Sequence, residues 1–120
     1  MIRRLHHAQV TVPASLEGEV REFYLEVLGL EEVAKPESLK ARGGFWVRVG
    51  DAEVHVSLEE NVERLRTKAH LAYEVTDISA WRARLEAAGH ELLEGVPIPG
   101  YERFETRDAA GNRLEFIARV

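Results

Sequence analysis

The sequence repeats itself at an interval of about 60 residues, and the repeat carries His and Glu at matching positions. His7-Ala8-Gln9-Val10-Thr11-Val12 recurs 63 residues later as His70-Leu71-Ala72-Tyr73-Glu74-Val75, both reading His-x-x-apolar-x-apolar. His55, within Glu53-Val54-His55-Val56-Ser57, recurs 60 residues later as Glu115, within Arg113-Leu114-Glu115-Phe116-Ile117. Gly29 and Gly89 are also 60 apart, and each ends an amphipathic run. A strand alternates its faces, so His7, His55, His70 and Glu115 each oppose the apolar residues beside them. Potential metal ligands on the polar faces of four strands, two from each half, point to a metal held between two copies of one small unit.

The pattern of each copy is strand-helix-strand-strand-strand. In the first half, Leu5 to Val12 reads as a strand ended by Pro13, and Ala14 to Glu19 as a loop. Val20, Phe23, Tyr24, Val27 and Leu28 then fall at helical spacing, with Gly29 as a left-handed C-cap. Leu30 to Ala34 is a short strand and Pro36 to Gly44 a loop. Phe45 to Val49 and Glu53 to Leu58 form a hairpin around Gly50-Asp51. Glu59 to Lys68 is polar and reads as a solvated linker.

The second half follows with a strand at His70 to Val75 and a helix N-capped by Asp77, with Ile78, Trp81, Leu85 and Ala88 inside and Gly89 at its end. A short strand at Glu91 to Leu93 comes next. The last hairpin, Glu102 to Thr106 and Arg113 to Ala118, turns through Asp108 to Asn112. The predicted class is α+β: two tandem βαβββ modules in one domain spanning 1–120. Module one covers about 1–58, the linker about 59–68 and module two about 69–120. A lone unit of this kind leaves one sheet face bare and needs a second.

Composition narrows the function. The chain is 45% hydrophobic and 31% charged with net charge −5, and no face is continuously basic, so no nucleic-acid partner is expected. With no cysteine, disulfides, thiolate metal sites and a cysteine nucleophile are excluded. No segment approaches the roughly 18 apolar residues that span a membrane, so no membrane partner is expected and the cytoplasm is the default location. No Gly-x-Ser-x-Gly, Walker A or dinucleotide-binding motif occurs.

The chain resembles the vicinal oxygen chelate superfamily, which includes glyoxalase I, fosfomycin-resistance thiol transferases, extradiol dioxygenases, methylmalonyl-CoA epimerase and bleomycin-resistance proteins. The resemblance covers nearly the whole chain. It rests on His7 opening the first strand and on Phe23-Tyr24-x-x-Val27-Leu28-Gly29-Leu30 ending the first helix. It rests also on His70 opening module two and on Asp108-x-x-Gly111-Asn112-x-x-Glu115 before the last strand. Gly43-Gly44-x-Trp46 and Glu53-Val54-His55-Val56 resemble a bacterial branch known only as glyoxalase-like.

The resemblance implies curved mixed sheets forming a cup that holds a divalent metal, with ligands at the positions of His7, His55, His70 and Glu115. Glyoxalase I usually has glutamate where this chain has His55. The fosfomycin-type enzymes and the dioxygenases use two His and one Glu, which here are His7, His70 and Glu115. His55 is then a fourth ligand or a neighbour of the substrate. An N3O donor set suits Zn, Ni, Co, Mn or Fe(II).

The implied activity is that of a metal-dependent lyase, isomerase or transferase acting on a small vicinally oxygenated substrate by Lewis-acid and proton-transfer chemistry, with Glu115 the candidate base. The alternatives are a non-enzymatic drug or small-molecule binder of the bleomycin-resistance type and an Fe(II) extradiol-type dioxygenase. A homodimer with sites shared between chains is expected, as in many small members.

Around the metal positions, Arg103, Trp46 and Arg48 are candidate substrate contacts. Each arginine is open to a second reading as a surface charge pair. Tyr101 is a further pocket-wall candidate, and Phe104 reads as core. Gln9 and Glu53 flank the histidines as hydrogen-bond partners. His6 reads as structural, and His90 as a partner of the helix C-terminus. The loops from Lys35 to Gly44 and from Gly95 to Tyr101 are expected to shape the pocket.

Overall fold

The computed structural model describes residues 1–120, which divide into two compact units, Met1–Val62 and Glu63–Val120. Each unit is a four-stranded mixed sheet with a helix between its first two strands. No helix is long and apolar enough to cross a membrane.

The first unit contains β1 (His7–Val12), α1 (Glu17–Glu22), β2 (Glu31–Val33), α2 (Glu37–Lys40), β3 (Phe45–Val49) and β4 (Ala52–Leu58), with strand order β1-β4-β3-β2. β1 runs parallel to β4, because the chain crosses over through α1 before returning; the other pairings are antiparallel. Period-two alternation sorts the residues. Val12, Phe45, Val47, Val54 and Val56 are buried on one face with Val20, Phe23, Tyr24 and Leu28 from the helical segment. His7, Gln9, Trp46, Arg48, Glu53, His55 and Ser57 occupy the other.

The expected helix starts earlier than its apolar spacing suggests. A 3-10 turn at Ala14–Leu16, read as loop from the sequence, runs directly into α1. It also ends differently, in a π-helical turn at Phe23–Val27 where Leu28 N–H donates to the Phe23 carbonyl at 2.9 Å. The wider turn puts Phe23 and Leu28, five residues apart, over the same sheet face. Gly29 follows at φ +70, the left-handed cap. The segment Pro36 to Gly44, expected as loop, contains the one-turn α2. With Leu39 as its sole apolar residue it had no periodicity to reveal it, although Pro36 precedes it and the Glu37–Lys40 pair at 2.7 Å matches the helix dipole.

The second unit contains β5 (His70–Glu74), α3 (Ile78–Ala87), β6 (Leu93–Glu94), β7 (Tyr101–Arg107) and β8 (Arg113–Arg119), in the order β5-β8-β7-β6 with β5 parallel to β8. Asp77 caps α3 by accepting from Ala80 N–H at 3.2 Å. Gly89 closes it in a Schellman turn, with His90 N–H donating to the Leu85 carbonyl and Gly89 N–H to that of Glu86. Ile78 and Leu85 are buried but Ala88 is exposed, since it falls on the cap rather than on the inner stripe. Phe116 centres the core, stacked on Phe104 at 5.2 Å and 9° and on Trp81 at 5.6 Å.

Two further readings change. The short strand β6 lies at Leu93–Glu94 rather than Glu91 to Leu93, because its pairing to Glu105 and Phe104 sets its position. Arg64 is buried rather than part of a solvated linker: its carbonyl accepts from Arg107 Nη1 at 3.3 Å within a 3-10 turn.

Candidate functional site

In the first unit three rings stack on the polar sheet face. Parallel pairing sets Gln9 opposite His55 and His7 opposite Glu53, while the β3–β4 hairpin sets Trp46 opposite His55. His55 is sandwiched: its ring lies 4.1 Å and 12° from His7 and 3.8 Å and 3° from Trp46. It is 6% exposed, unusual for a residue on the polar face. His55 Nε2–H donates to Glu53 Oε1 at 2.9 Å, which leaves the Nδ1 lone pair uncommitted. That same hydrogen bond lowers the Glu53 pKa below its ordinary value. Gln9, expected as a hydrogen-bond partner of the histidines, lies opposite His55 but accepts from Ser57 Oγ at 2.9 Å. Arg48 sits opposite Glu53 and is exposed. His6, read as structural, is part of the group: its Nδ1 and that of His7 share a hydrogen bond at 3.0 Å.

In the second unit the polar face gathers His70, Glu115, Glu105, Arg103 and Arg113. His70 Nδ1–H donates to the Lys68 carbonyl at 2.8 Å, and Nε2 lies 2.9 Å from Glu115 Oε1. The carbonyl accepts only, so a neutral His70 turns the Nε2 lone pair toward a carboxylate oxygen. That contact is repulsive unless a proton or a cation lies between them. The Lys68 carbonyl is the main cause, and Glu115 a further one, of a His70 pKa raised above 6.5. Glu105 is paired across the strands with Glu115 and buried like it. Ligand atoms of His70, Glu105 and Glu115 all lie within 4.8 Å of one another.

Two arginines balance these carboxylates. Arg113 Nη2 is 3.1 Å from Glu105 Oε1, and Arg103 Nη1 is 3.3 Å from Glu115 Oε1. Arg103 also donates through Nε and Nη2 to the Val96 carbonyl. This is the charge-pair reading of Arg103, with its guanidinium tucked beneath the loop at Gly95. Phe104 is fully buried core, while Tyr101 packs under the Arg119 guanidinium at 5.6 Å. His90 donates its backbone N–H to the Leu85 carbonyl at the end of α3, and its Nδ1 lies 3.1 Å from the Arg107 carbonyl.

Sequence reasoning missed Glu105. The signal was present in the turn: Asp108 Oδ1 accepts from the N–H groups of Ala110 and Asn112, which fixes the loop and pairs Arg107 with Arg113. Moving two residues away from the turn on each strand brings Glu105 opposite Glu115.

Residues 4–116 match the profile of the Glyoxalase/Bleomycin resistance protein/Dioxygenase superfamily. The chain belongs to that superfamily. Among solved structures, a protein from Bacillus anthracis described as a glyoxalase family protein is 38% identical, with a TM-score of 0.92 over 100% of this chain and 98% of that one. The genomically encoded fosfomycin resistance protein FosX from Listeria monocytogenes shares the fold at 18% identity and a TM-score of 0.82, covering 100% of this chain and 94% of its own. An integron cassette protein from Vibrio cholerae is 24% identical, with a TM-score of 0.76 over 98% and 96%. No curated protein matches.

Superfamily members generally use a divalent metal, and the donors here have the right chemistry for one. Cis ligands at roughly 2.1 Å from a metal stand about 3 Å apart, and the Nε2 of His70 and Oε1 of Glu115 are separated by 2.9 Å. Each of His55 and His70 also has its second ring nitrogen held by an acceptor, the arrangement that orients imidazole ligands.

Proposed function

We propose that the protein is a divalent-metal-dependent enzyme of the lyase, isomerase or transferase type, acting on a small vicinally oxygenated substrate. His7, His55, His70 and Glu115 are its metal ligands. The observation that carries this reading is the His70 Nε2 to Glu115 Oε1 contact with Nδ1 already committed to the Lys68 carbonyl, a geometry that a metal cation would satisfy in place of a proton. When bound, the metal supplies Lewis acidity, polarising an oxygen of the substrate.

The chain's own residues do the rest. Glu115 accepts a substrate proton at a carboxylate oxygen, with Arg103 Nη1 3.3 Å from Oε1 holding the carboxylate in position. Glu105, facing it across the strands, is held by Arg113 and keeps a second carboxylate within reach of the same proton. Glu53 fixes the His55 ring, and Trp46 covers that ring from water on one side. A homodimer completes the reading, as closed two-fold pairing is the commonest assembly of such chains.

One observation favours a second reading. Arg103 and Arg113 already neutralise Glu115 and Glu105, so this cluster is charge-balanced without a metal, as suits a protein that binds a small molecule and does not transform it. A panel of small vicinally oxygenated compounds, tested with metal-loaded and chelator-stripped protein, separates the two. The enzyme reading expects turnover that disappears on stripping and falls at least a hundredfold in Glu115→Gln. Binding of such a compound by stripped protein, with no turnover of any by the loaded form, supports the binder. Oxygen consumption with catechols by Fe(II)-loaded protein overturns the non-redox chemistry.

A further inference from the structure

The polar sheet face of the first unit carries a cavity of about 470 Å³. Its floor is the His7–His55–Trp46 stack, and its far wall is the segment 35–43 that contains α2. We propose that this wall selects substrates bearing an anionic group, a carboxylate first, and that Arg42 is the residue that reads it, with Lys35 in support.

The charges of the lining argue for this. Lys35 and Arg42 both face the cavity, and no carboxylate lines it. The acids near this segment are occupied elsewhere: Glu37 pairs with Lys40, Glu32 with Arg21, and Glu17 Oε1 accepts from Gly44 N–H at 2.7 Å. Arg42 is exposed and its side chain has no ion-pair or hydrogen-bond partner. Contrast Arg103 and Arg113, whose guanidinium groups are spent on Glu115 and Glu105. A free guanidinium beside a cavity matches a carboxylate with two parallel hydrogen bonds.

The segment is also built to stay in place. Lys35 Nζ donates to the Gly43 carbonyl, joining its two ends. Gly44 N–H is held by Glu17, and Gly44 itself, at φ +78, lies so close to β4 that a Cβ would stand 2.1 Å from the Val56 carbonyl oxygen. Three anchors therefore fix where Arg42 emerges. Leu39 and Leu58 give the cavity an apolar side, so the anion should carry a hydrocarbon or aromatic body.

This deepens the proposed function by naming a substrate class, and it rests on the same site. Its test does not rest on metal. Isothermal titration calorimetry on chelator-stripped protein compares benzoate, phenyl phosphate and the neutral benzamide, with metal content of every variant measured in parallel. Benzoate should bind at least tenfold tighter than benzamide. Arg42→Gln should weaken benzoate at least tenfold and leave benzamide unchanged, and Lys35→Met should weaken it less. Metal content should match wild type in both variants. Tighter binding of phenyl phosphate with the same Arg42 dependence keeps the anion selection and makes the group phosphoryl. Equal binding of benzoate and benzamide, or an Arg42→Gln variant that binds benzoate as wild type does, overturns the proposal. Anion selection in a protein that takes up no metal would sink the metal-dependent reading and leave this one standing.

Discussion

His70 is held between two oxygens, the Lys68 carbonyl on Nδ1 and the Glu115 carboxylate on Nε2. Both favour its protonated form, and its pKa lies above 6.5 for that reason. A group whose folded value is raised adds stability that is full below the unfolded value and is lost as pH rises through the folded one. Metal-free protein should therefore lose a component of stability above pH 6.5, and Glu115→Gln should shrink that component. An NMR titration should show the His70 midpoint falling in Glu115→Gln while staying above the ordinary value, since the Lys68 carbonyl is the larger cause. An unchanged midpoint would mean that the two side chains are not coupled. Metal uptake needs the neutral ring, so affinity should fall as pH drops through the same range. The pairing of His70 with Glu115 was legible from two repeated strand positions. Glu105 follows only once the Asp108 turn has set the hairpin register, and His6 was not legible, because its contact with His7 is made by side chains next to each other at the start of a strand.

Elements were legible where one face is apolar. β1 and β4 alternate polar and apolar residues, and the two long hairpins announce their turns with Gly50-Asp51 and Asp108 to Asn112. Elements held by polar or backbone contacts were not. The one-turn α2 rests on its ends, the π-turn on the need to bring Phe23 and Leu28 to one face, and β6 on two paired residues. Gly44 and Gly50 of the first unit test this difference. Gly44→Ala should cost at least about 3 kcal/mol, as positive φ combines with a backbone clash. Gly50→Ala, at φ +59 with open space around it, should cost about 1 to 2 kcal/mol. Chemical denaturation of both checks the order; equal losses would mean that the approach of Gly44 to β4 carries no weight. In the second unit Phe116→Ala should cost about 3 to 5 kcal/mol, since it empties the centre of a four-ring cluster with Tyr73, Trp81 and Phe104.

The duplication is the feature of the whole molecule that made its fold readable. Each unit repeats strand order, parallel first-to-last pairing and a helix over the apolar face, so the pattern in one half checks the other. The halves differ at the candidate site: His55 stands under Trp46, and its counterpart Glu115 stands beside Glu105. Light scattering should give a mass twice the 13.6 kDa of the chain; a monomer at all concentrations would reject the dimer. The central claim, a metal held by ligands from both repeats, is tested most directly by elemental analysis of protein purified without added metal or chelator. About one divalent ion per site is expected, with most of it lost in His7→Ala, His70→Ala and Glu115→Ala and less lost in His55→Ala. Full metal content in the His7→Ala/His70→Ala double variant would contradict it.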